Sequence, residues 1–337
     1  VSGRAVAAAI AARFRRHAPS IVSALAVLAL AATLAEPTWT LSRPRVEHVV
    51  AIDITQSMDV VDVRHEGRPV SRLELAKRAL RDALPALPCG SKIGLAVFTE
   101  YRAFLLLAPA EVCAHLDELR RAIAHIDGRM AWMGNSEIAK AVKGAQAMVA
   151  ALPGKPSLVF VTDGHEAPPL AAGLASAAEP TAPAPGLIVG VGGLQPSPIP
   201  RTDPLGRPIG YWGAGDVLQT DVRSLGLGNA APPDRAGDDA AGVLATGATP
   251  GSEHLSSLRE GYLRALAADR GLQYVRLDDA ATLARALTAP ALARPVPTPV
   301  DLRPALGVLA ALLLLLRHAS ALRALVARRW PPRARRR

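Results

Sequence analysis

Six short apolar runs recur along this chain with helix-like stretches between them, and that alternation restricts the fold more than any other feature. The runs lie at 46–52, 93–98, 103–107, 157–161, 187–191 and 273–277. Each is only five to seven residues long, too short for a helix and apolar on both sides, so each reads as a strand covered on both faces. The stretches between them predict helices over 71–84, 111–126, 135–150, 255–268 and 280–287. Ser71 and Glu74 form a capping box, and Pro85 stops that first helix. Val112, Leu116, Leu119, Ile123 and Ile126 fall on one helical face in the second. Strands and helices in this order predict an α/β fold, a doubly wound and mostly parallel sheet with helices on both faces. The run 103–107 follows its predecessor too closely for a crossover, so it is expected as an antiparallel edge.

Doubly wound sheets bind ligands at the carboxyl ends of their strands. Two runs end there in oxygen-bearing residues. Asp53-Ile54-Thr55-Gln56-Ser57 follows 49–52, and Thr162-Asp163-Gly164 follows 158–161. A third stretch, Gly134-Asn135-Ser136-Glu137-Ile138, opens a helix that must run down from the same pole. Topology therefore brings Asp53, Thr55, Ser57, Ser136 and Asp163 together. Hydroxyl and carboxylate oxygens suit a hard divalent cation, Mg²⁺ first, with Ca²⁺ and Mn²⁺ also accommodated. So few charged ligands would leave the metal electrophilic and open to a carboxylate from a partner. Gly164, His165 and Glu166, with Asp59 and Asp62, are placed near the rim, where a solvated polar loop is the plain reading. Tyr101 and Trp132 fit either partner contact or packing.

The sequence holds no Gly-x-Ser-x-Gly elbow, no His-Glu-x-x-His pair and no Walker A loop. His165 is the only histidine near the three stretches. The expectation is a binding device, not an enzyme.

The net charge of +10 suggests nucleic acid, but its distribution argues otherwise. Twelve of the 39 basic residues lie in 1–35 and 317–337, which contain no acid. The stretch between is close to neutral, with 27 basic residues against 29 acidic ones. Each basic end flanks an apolar run, the pattern of a cytoplasmic topology signal. Residues 19–35 read as a transmembrane anchor, with a cleaved signal peptide as the rival. Residues 304–322 read as a second span, with a buried core helix as the alternative. The basic ends 1–18 and 323–337 would then be cytoplasmic and the folded domain exported. In an oxidising compartment Cys89 and Cys113 can pair. Cys89 precedes the strand at 93, and Cys113 follows the edge strand that returns to the same pole, so a disulfide there lies far from the metal residues. Residues 193–252, rich in Gly, Pro and Ala, read as an insertion. Its part 196–217 is expected to wall the binding surface, and 229–251 to be disordered.

Asp53-x-Thr55-x-Ser57, Ser136 and Asp163-Gly164, in this order on strand and helix ends, resemble the metal-ion-dependent adhesion site of the von Willebrand factor A (VWA) domain. The resemblance covers roughly 46–290. It implies that Thr55, Ser57 and Ser136 ligate the metal through hydroxyls, and that Asp53 and Asp163 hold it directly or through water. It also implies that an acidic residue of a partner completes the shell. Thr55 stands where Ser is usual and Ser136 where Thr is usual; both exchanges keep an oxygen. Several further stretches resemble one subgroup, the membrane-anchored MxaL-type accessory proteins of periplasmic methanol dehydrogenase. They include Phe98-Thr99-Glu100-Tyr101-Arg102, Gly128-Arg129-Met130-Ala131-Trp132, Thr162 to Pro169 and Asp203 to Pro208. This implies a bacterial inner-membrane location with the VWA domain in the periplasm. It also implies a role in maturing methanol dehydrogenase or supplying its calcium, often beside a MoxR-type AAA+ ATPase. A related envelope stress or aerotolerance complex is the alternative setting.

Overall fold

The computed structural model describes residues 20–131, 135–168, 184–218, 249 and 251–329. The chain forms two compact units: residues 44–294, and the segments up to 43 and from 295 onward. The first is a mixed α/β unit around a six-stranded sheet. Its strands are β1 (Glu47–Asp53), β2 (Lys92–Thr99), β3 (Arg102–Glu111), β4 (Ser157–Thr162), β5 (Gly186–Gly190) and β6 (Gln273–Arg276). They lie in the order β6-β5-β4-β1-β2-β3. All neighbours run parallel except β3, the antiparallel edge that the short connection at 100–101 demands.

The direction of winding reverses at β1. Val49↔Gly94 is a register pair on one side and Val49↔Leu158 on the other. The carboxyl ends of β1 and β4 thus flank the crevice where such sheets accept ligands. The side chains of β1 alternate between two cores. Val50 and Ile52 pack with helices α1 (Arg72–Ala83), α2 (Leu116–His125) and α5 (Ala280–Leu287). Val49 and Ala51 face α3 (Ile138–Ala151) and α4 (Glu260–Asp269). Across that second face Phe98 and Phe160 meet with ring centroids 5.3 Å apart, a tilted contact that favours aromatic pairs. Gly186 allows β5 to close on β4, because a Cβ there would lie 2.1 Å from Leu158 O.

Three helix starts differ from the sequence reading, each for a local reason. The stretch expected as helix from 111 begins with strand, since β3 continues to Glu111, and α2 starts at Leu116. The Glu111 carboxylate accepts from the backbone of Gly90 and Ala114 and turns the chain there. Next to this turn Cys89 and Cys113 are disulfide-bonded, with Cα atoms 5.3 Å apart, at the pole away from the carboxyl end of β1. The helix α3 starts at Ile138, because Ser136 is bridged to Glu100 and Ala167. The helix α4 starts at Glu260, because Leu255–Ser256 pairs as a strand with Ser197–Pro198.

In the second unit residues 20–33 are helical, Thr38–Arg45 pairs with Arg294–Asp301, and Arg303–Arg329 forms α6. The segments expected to span at 19–35 and 304–322 lie in this unit. Among the described residues no helix is long and apolar enough to cross a membrane. In α6 the unbroken apolar run from Pro304 ends before Arg317. It covers roughly 20 Å at about 1.5 Å per residue, short of a hydrocarbon core of about 30 Å. The basic stretches 1–18 and 330–337 lie outside the described residues, as do Trp132 and Pro169.

His48, on β1, is fully buried. Its Nε2–H donates to Leu287 O at 2.8 Å, and its Nδ1 has no partner. Burial pushes its pKa down to about 4 from 6.5. Above pH 6.5 the folded and unfolded chains are both neutral at this ring. Between pH 6.5 and 4 only the unfolded chain takes up the proton, so stability falls as pH falls through that window. Replacing His48 by Gln is expected to flatten this slope. The difference between wild type and variant in urea unfolding should change by about 2–3 kcal/mol from pH 7 to pH 4.

Candidate metal centre

The chain leaves β1 at Asp53, which is fully buried. Ile54 N donates to Phe98 O at 3.1 Å, so the loop stays on the sheet for one more residue. The Asp53 carboxylate then folds the loop around itself. Its Oδ1 accepts from Thr55 N at 2.9 Å and Thr55 Oγ1 at 2.7 Å, and its Oδ2 accepts from Thr162 Oγ1 at 2.7 Å. Thr55 Oγ1 lies 3.2 Å from Ser57 Oγ, and Ser57 Oγ donates to Asp163 Oδ1 at 3.3 Å. Four of the five expected residues therefore form one continuous chain of oxygens across the carboxyl ends of β1 and β4.

The fifth, Ser136, reaches the same place by its backbone. Ser136 N donates to Ala167 O and Ala167 N returns a bond to Ser136 O, both at 2.8 Å. Ser136, Thr55 and Ser57 line one cavity of about 440 Å³. Asp53 and Asp163 do not line it and have no exposure. Ser136 Oγ is buried and has no hydrogen-bond partner. An orphaned buried hydroxyl costs about 1–3 kcal/mol unless something binds it. Three hydroxyls backed by two carboxylates make an all-oxygen donor set, which fits a hard divalent cation. Among the described residues no group of three or more His, Cys, Asp and Glu side chains is placed to hold a metal.

Arg72, at the start of α1, is the residue that sequence reasoning missed. Its side chain is fully buried, and Nη1 donates to Asp163 Oδ2 at 2.5 Å. It also pairs with Asp62 at 2.6 Å and donates to Ser256 Oγ, Ser256 O and Ser57 O. Burial works against both aspartates but with different outcomes. Asp53 is pushed up to about 7 by burial and then by the charge of Asp163. Burial also works to raise Asp163, but the Arg72 guanidinium outweighs it and holds this carboxyl below its ordinary range. Asp163 is thus the fixed negative charge of the site.

The residues placed at the rim by sequence sit deeper. Gly164 has φ +83, and a Cβ there would lie 2.9 Å from Arg259 Cβ and Leu263 Cγ. It is packed against α4 rather than exposed. His165 is buried and lines the cavity, and its backbone N donates to Asp163 Oδ1 at 3.0 Å. Burial lowers its pKa, so it is a neutral wall of the cavity at ordinary pH. Glu166 is no rim residue at all. Its Oε2 accepts from Ile138 N, Ala139 N and Tyr262 OH and so satisfies the start of α3. Burial pushes it up to about 8. Asp62 belongs to the Arg72 pair, and half-buried Asp59 is raised to about 6 by burial and Asp127. Tyr101 is half-buried under the guanidinium of Arg102, at 4.7 Å.

The insertion supplies the far wall. Pro200–Thr202 and Pro208–Tyr211 form a hairpin. From it Trp212 Nε1 donates to Gln56 Oε1 at 2.7 Å, tying the insertion to the first metal loop. Arg201 stacks on the same indole at 4.8 Å. Ile199, Trp212, Val217 and Leu218 face the cavity from this side. The stretch 229–251 lies outside the described residues apart from 249 and 251.

No family model and no curated protein matches this sequence. Solved structures do. An aerotolerance-related membrane protein from Bacteroides fragilis NCTC 9343 is 20% identical, over 73% of this chain and 98% of that one, with a TM-score of 0.47. BatB from Bacteroides thetaiotaomicron is 22% identical, over 72% and 95%, with a TM-score of 0.45. A von Willebrand factor type A protein from Catenulispora acidiphila is 12% identical, over 76% and 44%, with a TM-score of 0.33.

Since no protein group uses Ser136 Oγ, Ser136→Ala should leave metal-free stability unchanged or slightly raised. It should abolish the stabilisation that Mg²⁺ or Mn²⁺ gives the wild type, about 3 kcal/mol at a hundredfold excess over Kd. Thermal unfolding with and without the metal reads both effects. An equal metal-dependent shift in the two proteins would remove Ser136 from the site.

Proposed function

We propose that this chain is a VWA-type binding domain that grips an acidic residue of a partner protein through a divalent cation, and that it is not an enzyme. The observation that carries this reading is the unpartnered, buried hydroxyl of Ser136, a residue that lines one cavity with Thr55 and Ser57. Thr55, Ser57 and Ser136 would hold the metal, with Asp53 and Asp163 behind them. The bound cation supplies an electrophilic centre for the partner's carboxylate. The chain's own part is to fix the oxygens and to shape the approach. Asp53 orients Thr55, Asp163 accepts from Ser57, and the Trp212–Gln56 bond holds the insertion as a wall beside the opening. His165 is buried, and its backbone rather than its ring meets a site carboxylate, which favours binding over proton transfer.

The domain is proposed to work outside the cytoplasm, at the bacterial inner membrane. The Cys89–Cys113 disulfide favours an oxidising compartment. Exposed Leu25, Val27 and Leu28, with Leu312, Leu315 and Leu316, provide apolar surface in the terminal unit. Two settings follow from the sequence: maturation or calcium loading of methanol dehydrogenase, with a MoxR-type ATPase, and an envelope stress or aerotolerance complex. The second matches the words used for the B. fragilis protein. Growth of a deletion strain on methanol and under oxidative envelope stress separates them, since each setting predicts a defect in one condition only.

The binding reading itself is tested by crosslinking and pull-down of envelope partners. Capture should be lost with EDTA, restored by Mg²⁺ or Mn²⁺, and reduced at least tenfold in Asp53→Ala. Capture that ignores both the chelator and the substitution would refute a metal-mediated grip.

A further inference from the structure

The Arg72 guanidinium is an unexpected neighbour for a cation site. A residue that binds a metal-site carboxylate with a positive charge competes with the metal for it. Yet Arg72 cannot turn away. Its Nε donates to Asp62 Oδ1 at 3.0 Å, Nη2 to Asp62 Oδ2 at 2.6 Å and to Ser256 O at 3.0 Å, and Nη1 to Asp163 Oδ2 and Ser256 Oγ. Ser256 Oγ in turn donates to Asp163 Oδ2 at 2.9 Å. The Oδ2 atom of Asp163 is therefore taken up by two donors, while Oδ1 accepts from Ser57 Oγ and His165 N. Asp62 draws charge the other way, and its Oδ2 also accepts from Gly193 N, where the insertion begins.

Resting on the metal-centre reading above, we propose that Arg72 is a positioning residue that fixes Asp163 and, by its charge, weakens metal binding in the unpartnered domain. Asp62 counterbalances that charge. The metal site then sees two aspartates, with Asp163 held ionised but its charge offset by the adjacent Arg72, and the cation is left short of negative charge. An anion arriving from outside makes up the deficit, so the metal and the partner's carboxylate reinforce one another. By linkage each raises the affinity of the other by the same factor.

The two partners of one buried ion pair then act in opposite directions. Removing the positive charge, in Arg72→Gln, should tighten metal binding by about tenfold, because a cation a few ångströms away no longer repels the ion. Removing the negative charge, in Asp62→Asn, should weaken it about threefold or more. A merely structural role predicts loss of affinity in both. The measurement is titration of the purified chain with Mn²⁺ alone at pH 8, following free Mn²⁺ by electron paramagnetic resonance, with folding checked by circular dichroism. Should Arg72→Gln fail to fold, Arg72→Lys takes its place. It keeps the charge but cannot span both carboxylates, and its affinity should stay within about threefold of wild type. Tighter binding in Arg72→Gln, or unchanged binding in Arg72→Lys, together with weaker binding in Asp62→Asn, supports the inference. Weaker binding in the arginine variant as well as in Asp62→Asn overturns it and leaves the metal centre standing. No Mn²⁺ binding by any of the proteins, wild type included, overturns the metal centre and the inference with it.

Discussion

A guanidinium with no access to water lies between two carboxylates at the centre of this domain, and the surrounding loops are arranged by it. Arg72 joins the start of α1 to the loop after β1 through Ser57 O, to the loop after β4 through Asp163, and to the strand after the insertion through Ser256. Through Asp62 it also reaches Gly193, where the insertion starts. An ion so deeply buried is tolerated only when its donors are met, and here Nε, Nη1 and Nη2 all have partners. Losing one member of such a set costs about 3–5 kcal/mol, because the other is left buried and charged. The pair contributes specificity as well. With both roots of the insertion on one side chain, the wall containing Trp212 is held in register with the loop that contains Gln56.

The position of this cluster follows from the sheet. Winding outward in both directions from β1 opens a crevice between the carboxyl ends of β1 and β4, since no connection crosses it there. The same reversal puts apolar side chains of β1 into two separate cores. Val50 and Ile52 serve one and Val49 and Ala51 the other, so β1 is immobilised from both faces. Asp53, the next residue, inherits that rigidity. The oxygens of the site are thus built at the end of a strand packed on both faces, with loops fastened to it.

Much of this was legible in the sequence, because it depends on local patterns. The six strands were visible as apolar runs, and alternation with helices was enough to give a doubly wound, mostly parallel sheet. Asp53, Thr55, Ser57, Ser136 and Asp163 could be placed at one pole because each lies one to five residues beyond an apolar run or just before a helix. What was not legible depends on distance in sequence. Arg72 reads as an ordinary charged residue in the first turn of a helix; its partners are 10, 91 and 184 residues away. Glu166 lies next to the site in sequence, but α3 lacks a side-chain cap of its own, and the carboxylate is drawn inward to satisfy it. The apolar terminal runs pose the opposite question. Local hydrophobicity suggested spans, but a span needs length, and Arg317 interrupts α6 too soon.

The two hydroxyl exchanges are explained by how each oxygen is held. Thr55 Oγ1 is fixed by the Asp53 carboxylate at 2.7 Å, so its position is set by a hydrogen bond and not by the residue's methyl group. Serine offers the same oxygen, and threonine adds a methyl that narrows its χ1 choices. Ser136 is the reverse case. Its oxygen has no partner in the protein, but its backbone is pinned on both sides, by Ala167 and by the bridge to Glu100. The missing methyl leaves that hydroxyl free to rotate toward whatever enters the cavity. One loop therefore presents a locked oxygen and the other an adjustable one. A single χ1 angle thus sets where the Ser136 oxygen lies, while the Thr55 oxygen is set by Asp53.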